Sequence, residues 1–498
     1  MQQAFKNISE SFAKTLGGHL KSFTICKVVE RSAIVLAAGK GTRMNIDYPK
    51  VLTLSEEGPL LGILLRELLS MDLKEIVLVT GFEKDKVEEY VTNAFGDDRI
   101  VFAHQEEQLG TGHALAVGFT KLSPCERLFV LLGDVPLVTA KSLCSLDDYV
   151  VAHNLSCCFF SMLVYQKNEY GRVIRDPYSG RVLSIEEYRH TTSAQKLIRE
   201  VSTGVFCFLY PDLKQVLSDT FDYLLTTCKG KGIEFYLPLL LEVFAAKGML
   251  YDALLSEDVD EFIGVNRPDE LEELNKALLR RRILKFKQNG VLFSDPSNIY
   301  IAPEVHLEAG VVIDSHVKIA GKTIVRAGTQ IGSYSIIKNS EIDENCEIMP
   351  FTYIENAKIG QNCRIGPFAR LREGTVLQDF VAIGNFVETK NARLENNVKA
   401  NHHSYLGDCW IGTGTNVGAG TITCNFDGFK KNFTQIGQNC LIGANVNLIA
   451  PVNLGSNVVV GAGSSITKDV PDNSLVVERG ETKTIKEGYE RYVARRSK

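Results

Sequence analysis

The chain has 498 residues, more than one typical domain holds, so two or three domains are expected. Its hydrophobic content of 45% is ordinary for a globular fold, and 55 basic against 60 acidic residues give a net charge of −5, which excludes a general basic footprint for nucleic acid. No apolar run approaches the roughly 20 residues that a bilayer-spanning helix needs, so no membrane partner is expected.

The first thirty residues, MQQAFKNISESFAKTLGGHLKSFTICKVVE, lack the apolar stretch of a secretion signal. Three readings of this extension (1–31) stay open: an added helix, a flexible arm, or translation from an upstream start codon. The twelve cysteines stand singly apart from Cys157 and Cys158, with no C-x-x-C spacing. That pattern favours buried, reduced thiols in a cytoplasmic protein over a disulfide framework or a zinc site.

From residue 32 to 266 short apolar runs alternate with helical patterns. Ser32–Leu36, Glu75–Thr80, Arg127–Leu132 and Cys157–Tyr165 read as strands, and Leu60–Leu69 and Lys84–Thr92 as helices. The alternation predicts a mostly parallel, Rossmann-like α/β sheet with its ligand at the carboxyl ends of the strands. Directly after the first strand comes Leu36-Ala-Ala-Gly-Lys-Gly-Thr-Arg-Met44. Its glycines let backbone N–H groups approach a phosphate chain, and Lys40 and Arg43 add positive charge. It matches neither a Walker loop nor the G-x-G-x-x-G of dinucleotide folds. Three more segments follow in order: Tyr48-Pro-Lys50, Gln105-Glu-Glu-Gln-Leu-Gly-Thr-Gly-His-Ala114 and Gly133-Asp134-Val-Pro136.

Arg267–Gln288 begins with Arg-Pro and carries leucines at helical spacing, which predicts a long helix within a linker spanning 267–298. From 299 to 498 the period changes to six. Ile301, Leu307, Ile313, Ile319, Val325, Ile331 and Ile337 recur in register; the phase slips by one at Ile342 and again at Ile359, and returns late at Ile436 through Ile466. Neither a helix nor a strand has that period. A coil with three flat sides does, each side giving one aliphatic residue to a stacked core, so a parallel β-helix of hexapeptide repeats is expected. Polar segments interrupt or decorate the hexads at Phe368–Arg372, Asn385–Lys390, Asn401–Asp408 and Asn416–Asn425, with a thirteen-residue gap from Thr423 to Ile436. Breaks in a solenoid mark loops, and loops carry sites.

In this order the N-terminal motifs resemble those of sugar-1-phosphate nucleotidyltransferases. With the hexad solenoid behind them, the chain from about residue 32 to its end resembles one bacterial family, the bifunctional N-acetylglucosamine-1-phosphate uridylyltransferase and glucosamine-1-phosphate N-acetyltransferase. The resemblance implies a left-handed β-helix, a homotrimer, and supply of UDP-N-acetylglucosamine for cell-wall synthesis. It further implies that Leu36, Ala37, Ala38 and Gly39 line the uracil and phosphates of UTP, that Gln105, Gly110 and Thr111 complete base recognition, and that Lys50 meets the phosphates. Leu132 and Gly133 join the substrate site, Asp134 and Asn266 hold Mg²⁺, and Gly171, Glu187 and Ser202 contact the N-acetylglucosamine 1-phosphate. In the solenoid it implies that His402 is the base, that Arg372, Lys390, Tyr405 and Asn416 hold glucosamine 1-phosphate, and that Ala419, Asn425, Phe426, Ala444, Ala462 and Arg479 lie along acetyl-CoA.

The residue types suit those reactions. Joining two polyanions at a phosphorus atom needs a metal and cations rather than a covalent nucleophile, and acetyl transfer to an amine needs a base near pH 7. The chain departs from the family pattern at several positions: Ser202 stands in place of asparagine, Leu132 in place of tyrosine, Phe426 in place of tyrosine and Ala444 in place of serine. Pro238-Leu239 stands where an aspartate is usual. Two other readings are a sugar-1-phosphate nucleotidyltransferase whose solenoid serves only assembly, and a trimeric sugar-nucleotide-binding scaffold with one site inactive.

Overall fold

The computed structural model describes residues 29–44, 47–166 and 168–496, so most of the expected N-terminal extension lies outside the described residues. The chain divides into two compact units between Leu274 and Asn275, inside the helix Pro268–Gln288. Among the described residues no helix is long and apolar enough to cross a membrane.

The first unit is built on a twisted sheet whose main strands run in the order Tyr251–Ser256, Cys157–Leu163, Glu200–Leu209, Arg127–Leu132, Arg31–Leu36, Ile76–Thr80 and Ile100–His104. The four strands that the sequence pattern predicts are present, each within two residues of its expected bounds. The sheet is mixed: Glu200–Leu209 runs antiparallel to both neighbours, while Arg31–Leu36 pairs parallel on both sides. Alternation along Arg31–Leu36 sends Ile34 and Leu36 into one apolar layer and Ala33 and Val35 into the other. Helices cover both faces. Leu60–Ser70 and Ala140–Ala152 bury leucines against one face, and Thr111–Phe119 and Tyr210–Lys231 against the other.

From Arg31–Leu36 the chain passes first to Ile76–Thr80 on one side and later to Arg127–Leu132 on the other. This reversal of strand order opens a crevice at the carboxyl ends of the two central strands. The loop after Leu36 and the turn after Leu132 both border it.

The second unit is a left-handed parallel β-helix. Short strands from Leu292–Phe293 to Leu475–Val476 pair in parallel, mostly each with the third one along, so the coil has three sides. One column of the interior reads Ile301, Ile319, Ile337, Ile354 and Leu371, then Thr389 and Leu406. Coils of 18 residues (Ile319 to Ile337) are mixed with coils of 17 (Ile337 to Ile354, Ile354 to Leu371), and each shorter coil accounts for a phase slip.

The polar segments are not interruptions. Ala382–Leu394 and Lys399–Ile411 are continuous strands in unbroken register, with Ala400, Leu406 and Ile411 buried inside. The hexad is masked there because small or polar residues occupy inward positions. Thr423 is buried, accepts from Gly407 N–H at 2.7 Å and donates to Gly407 O at 2.9 Å, so its hydroxyl is satisfied inside the stack. Only the stretch between Ile422–Cys424 and Thr434–Ile436 leaves the coil, as a corner excursion pinned by Asp427. Backbone N–H groups of Lys430 and Phe429, with the Asn432 amide, hold the Asp427 carboxyl down at about 2.

One corner carries an aromatic column. His316, Tyr334, Phe351, Phe368 and Phe386 stack on successive coils at centroid spacings of 4.7, 5.0, 4.9 and 5.4 Å, and every one has a positive φ.

Candidate active sites

The crevice of the first unit is a cleft of about 970 Å³. Of the residues implied on the nucleotidyl side, Leu36, Ala37, Ala38, Gly39, Lys50, Gln105, Gly110, Thr111, Leu132, Asp134, Gly171, Glu187, Ser202 and Asn266 all line it. Gly133 is not among the lining residues; its N–H donates to Leu36 O at 2.9 Å and ties the two strand ends together.

Local structure explains how residues so far apart converge. The Val265 N–H donates to Asp134 O at 3.0 Å, which sets Asn266 beside the carboxylate. Glu270 accepts from the N–H groups of Asn266 and Arg267 at 2.6 and 3.1 Å, fixing that turn at the start of the helix. Lys50 enters from the short turn Lys50–Leu52, anchored by buried Val51. Gly41, at φ 67°, leaves room for it: a Cβ there would lie 2.5 Å from Lys50 Cβ. The Lys50 ammonium donates to Asp134 Oδ2 and to Asn266 Oδ1, the latter at 2.7 Å. Arg43 donates to the same Asn266 oxygen at 2.7 Å and to Glu169 at 3.0 Å. Two oxygen ligands thus converge on one cation at a strand end.

Glu187, Ser202 and Leu132 line another part of the cleft. Glu187 has its carboxyl pushed up by burial, an effect offset by His190 and increased by Glu234. Ser202 accepts through Oγ from Gly204 N–H at 3.4 Å, and its own N–H donates to Gly171 O at 2.9 Å. Leu132 packs on Gly204, where a Cβ would come within 2.4 Å of its Cδ1.

Sequence reasoning missed several lining residues. Gln108 donates to Ala38 O at 2.7 Å and fastens the glycine loop; it lies inside the quoted Gln105–Ala114 motif, so the signal was present. Glu169, Tyr188, Arg189 and Lys196 also line the cleft. They sit in irregular segments with no periodicity to mark them.

In the second unit, strand register assembles the other candidate site. Lys399 pairs with Asn416, Val417 with Ile442, and Ile442 with Val460. Counting along these rungs, Asn385, His402, Ala419, Ala444 and Ala462 occupy one column beside a corner. His402 Nδ1 lies 3.4 Å from Asn385 Oδ1. His402 and His403 are both exposed, and His403 has φ 26°. The positive φ at His403 places the pair at a corner, where the two side chains do not follow the strict alternation of an extended side.

Flanking the column, Arg372 donates to Glu388 Oε1 at 2.9 Å and Lys390 to Glu373 Oε1 at 2.9 Å. Glu388 is the register partner of Tyr405, and Lys390 that of Gly407, which brings both cations near the tyrosine. Buried Asn425 donates to Asp408 Oδ2 at 2.5 Å and to Tyr405 Oη at 3.4 Å. Asn416 pairs with Lys399 and so lies one coil further on, on the same side of the solenoid as Lys399. Phe426 is exposed at the base of the excursion, and Arg479 reaches to 3.9 Å of the position a Cβ would take on Gly463.

Among the described residues no group of three or more His, Cys, Asp or Glu side chains is arranged to hold a metal. The cysteines of those residues are free thiols, buried except for Cys144 and Cys424.

Comparison with known proteins agrees with this division. Residues 33–201 match the MobA-like NTP transferase domain, 297–392 the GMPPB C-terminal domain and 434–468 the hexapeptide repeat of succinyl-transferase. The "Bifunctional protein GlmU" of Carboxydothermus hydrogenoformans is 38% identical over 446 residues, covering 90% of this chain and 97% of its own length. The protein of the same name from Staphylococcus haemolyticus is 35% identical over 466 residues, covering 93% and 99%. Likeness of that extent runs through both units, and the chain belongs to the bifunctional GlmU family, with its nucleotidyltransferase in the first unit and its hexapeptide acetyltransferase in the second.

Proposed function

We propose that the second unit transfers acetyl from acetyl-CoA to glucosamine 1-phosphate and that the first unit then joins the N-acetylglucosamine 1-phosphate to UMP from UTP. The observation that carries the reading is the convergence of Asp134 and Asn266 oxygens on a cation at a strand end, beneath a glycine-rich loop. An ammonium already sits where a metal would be, and Mg²⁺ prefers one or two protein oxygens with phosphates and water completing its shell. Asp134 and Asn266 are the residues that would hold it. When bound, the ion supplies neutralisation of the charge that develops on the phosphates.

The chain's own groups do the rest. A phosphate oxygen of the sugar attacks the α-phosphorus of UTP, a P–O bond forms, the bond to the β-phosphate breaks, and pyrophosphate leaves. Lys50 and Arg43 supply positive charge for the phosphates, and Gly171, Glu187 and Ser202 orient the sugar. In the solenoid, His402 takes the proton from the ammonium of glucosamine 1-phosphate. The freed amine attacks the thioester carbon, the C–S bond breaks, and CoA leaves as the thiol. Arg372, Lys390, Tyr405 and Asn416 hold the amino sugar phosphate. The Ala419–Ala444–Ala462 column leads from His402 over three coil steps, about 14 Å at the spacing of hydrogen-bonded strands. Its small side chains leave space for an extended pantetheine arm, with Asn425, Phe426 and Arg479 beside it.

The exposed rings of Tyr334, Phe351, Phe368 and Phe386 form a patch of the kind that association covers, which supports self-association; the homotrimer and its cytoplasmic location are proposed from the family resemblance. Pyrophosphate release with UTP and N-acetylglucosamine 1-phosphate, run beside thiol release with acetyl-CoA and glucosamine 1-phosphate, tests the reading. Both signals are expected from the one chain. Absence of thiol release would leave the solenoid an assembly device.

A further inference from the structure

Both oxygens proposed for the metal are already occupied by the chain itself. The Lys50 ammonium bridges Asp134 Oδ2 and Asn266 Oδ1, with side chains of Lys50 and Asp134 only 12% and 17% exposed. Arg43 takes the second lone pair of the Asn266 oxygen and pairs with Glu169. A divalent ion reaching these oxygens meets a resident ammonium on both of them, and the Asn266 oxygen has both lone pairs already engaged by Lys50 and Arg43. Lys50 cannot retreat freely either, because its turn is fixed by Val51 and its stem lies against Gly41. Leaving the pair, its ammonium must stay in the same partly buried cleft and needs another anion there.

We infer that Lys50 is an exchangeable stand-in cation: it fills the metal position in the nucleotide-free protein and yields it when a polyphosphate gives the ammonium a new partner. This rests on the assignment of Asp134 and Asn266 above. Its consequence is thermodynamic coupling. Metal alone must displace Lys50 without compensation and binds weakly. Metal together with a nucleoside triphosphate enters by exchange, since the phosphates receive the displaced ammonium, so each ligand strengthens the other. The same arrangement disfavours binding of a bare divalent ion to an open site, where it would have no substrate to act on.

The test is Mn²⁺ binding to the nucleotide-free full chain, read as loss of the free-ion electron paramagnetic resonance signal. Lys50→Met keeps the length of the side chain and removes the charge; Lys50→Gln serves if the first variant does not fold. Affinity for Mn²⁺ should rise about tenfold or more over the unaltered chain, the scale of one modest charge–charge contact. Adding Asp134→Asn to Lys50→Met should abolish the gain. Equal or weaker Mn²⁺ binding by Lys50→Met, with a further loss on adding Asp134→Asn, would overturn the exchange while leaving the metal assignment standing. Mn²⁺ binding by Lys50→Met that is indifferent to Asp134→Asn would overturn both.

Discussion

The two units assemble a site in opposite ways. In the first, Lys50 and Asn266 meet across 216 residues of sequence, because a crossover in strand order brings distant loops to one crevice. In the second, Asn385 and His402 are 17 residues apart and meet because each coil stacks on the last. A sheet concentrates chemistry at a topological point, where each residue has its own route in. A solenoid lays it out in columns, where the period dictates the neighbour. The first arrangement should be fragile at single residues that hold separate segments together, and the second should tolerate change except at the rungs that carry chemistry or fill the stack.

The largest expected break separates the units functionally. Asp134→Ala should reduce nucleotidyl transfer by about 10²–10³, the scale for removal of one preorganised charge-stabilising group, while thiol release continues. Parallel loss of both activities in a folded protein would show that the units are not independent. His402→Ala is the mirror experiment. Acetyl transfer should fall by about 10²–10⁴, the range for losing a general base, with pyrophosphate release intact. Near-normal turnover, or inactivity confined to His403→Ala, would move the base to the other side of the corner.

A stability contrast within the solenoid comes next. Ile337→Ala removes a fully buried member of the column and should cost about 2–5 kcal/mol in denaturant unfolding of the second unit. Thr423→Val keeps the volume but leaves the Gly407 N–H without its acceptor, costing about 1–3 kcal/mol. If Thr423→Val were neutral, the masked rungs would be fillers rather than bonded parts of the stack. The smallest effect concerns sugar recognition. Ser202→Asn extends an amide toward the cleft and should lower KM for N-acetylglucosamine 1-phosphate several-fold, at about 1 kcal/mol per added hydrogen bond. An unchanged or higher KM would mean that a neighbour, Tyr188 or Arg189 among those lining the cleft, already fills that role.

Much of this fold was legible in the sequence because one signal was long and strict. Hexads need no tertiary information: each aliphatic position faces inward whatever the neighbouring coil contains. Legibility failed at Thr389, Ala400 and Thr423, where the inward residue is small or hydroxylated, the two threonines bonding back to Thr375 and Gly407 of the preceding coil. In the first unit the glycine loop and the Gly133-Asp134 turn stood out because they sit at strand ends. Arg189 and Lys196 did not, since only three-dimensional folding carries their irregular segment to the cleft. Nor does any spacing announce that Lys50 lies between Asp134 and Asn266. That contact depends on Val265 pairing with Asp134, a product of topology.

The corner excursion at residues 425–433 leaves the coil and returns without disturbing it. Cys409 and Ile411 before it still pair with Thr434 and Ile436 after it. Additional chain at a corner therefore changes neither the pitch nor the identity of the stacked rungs, because the wall on either side is already complete. For an evolving or engineered solenoid, each corner acts as an open socket. Length and composition can vary there almost independently of the scaffold, so new recognition can be grafted one corner at a time, while a one-residue change within a flat side shifts the facing of every residue that follows it on that side.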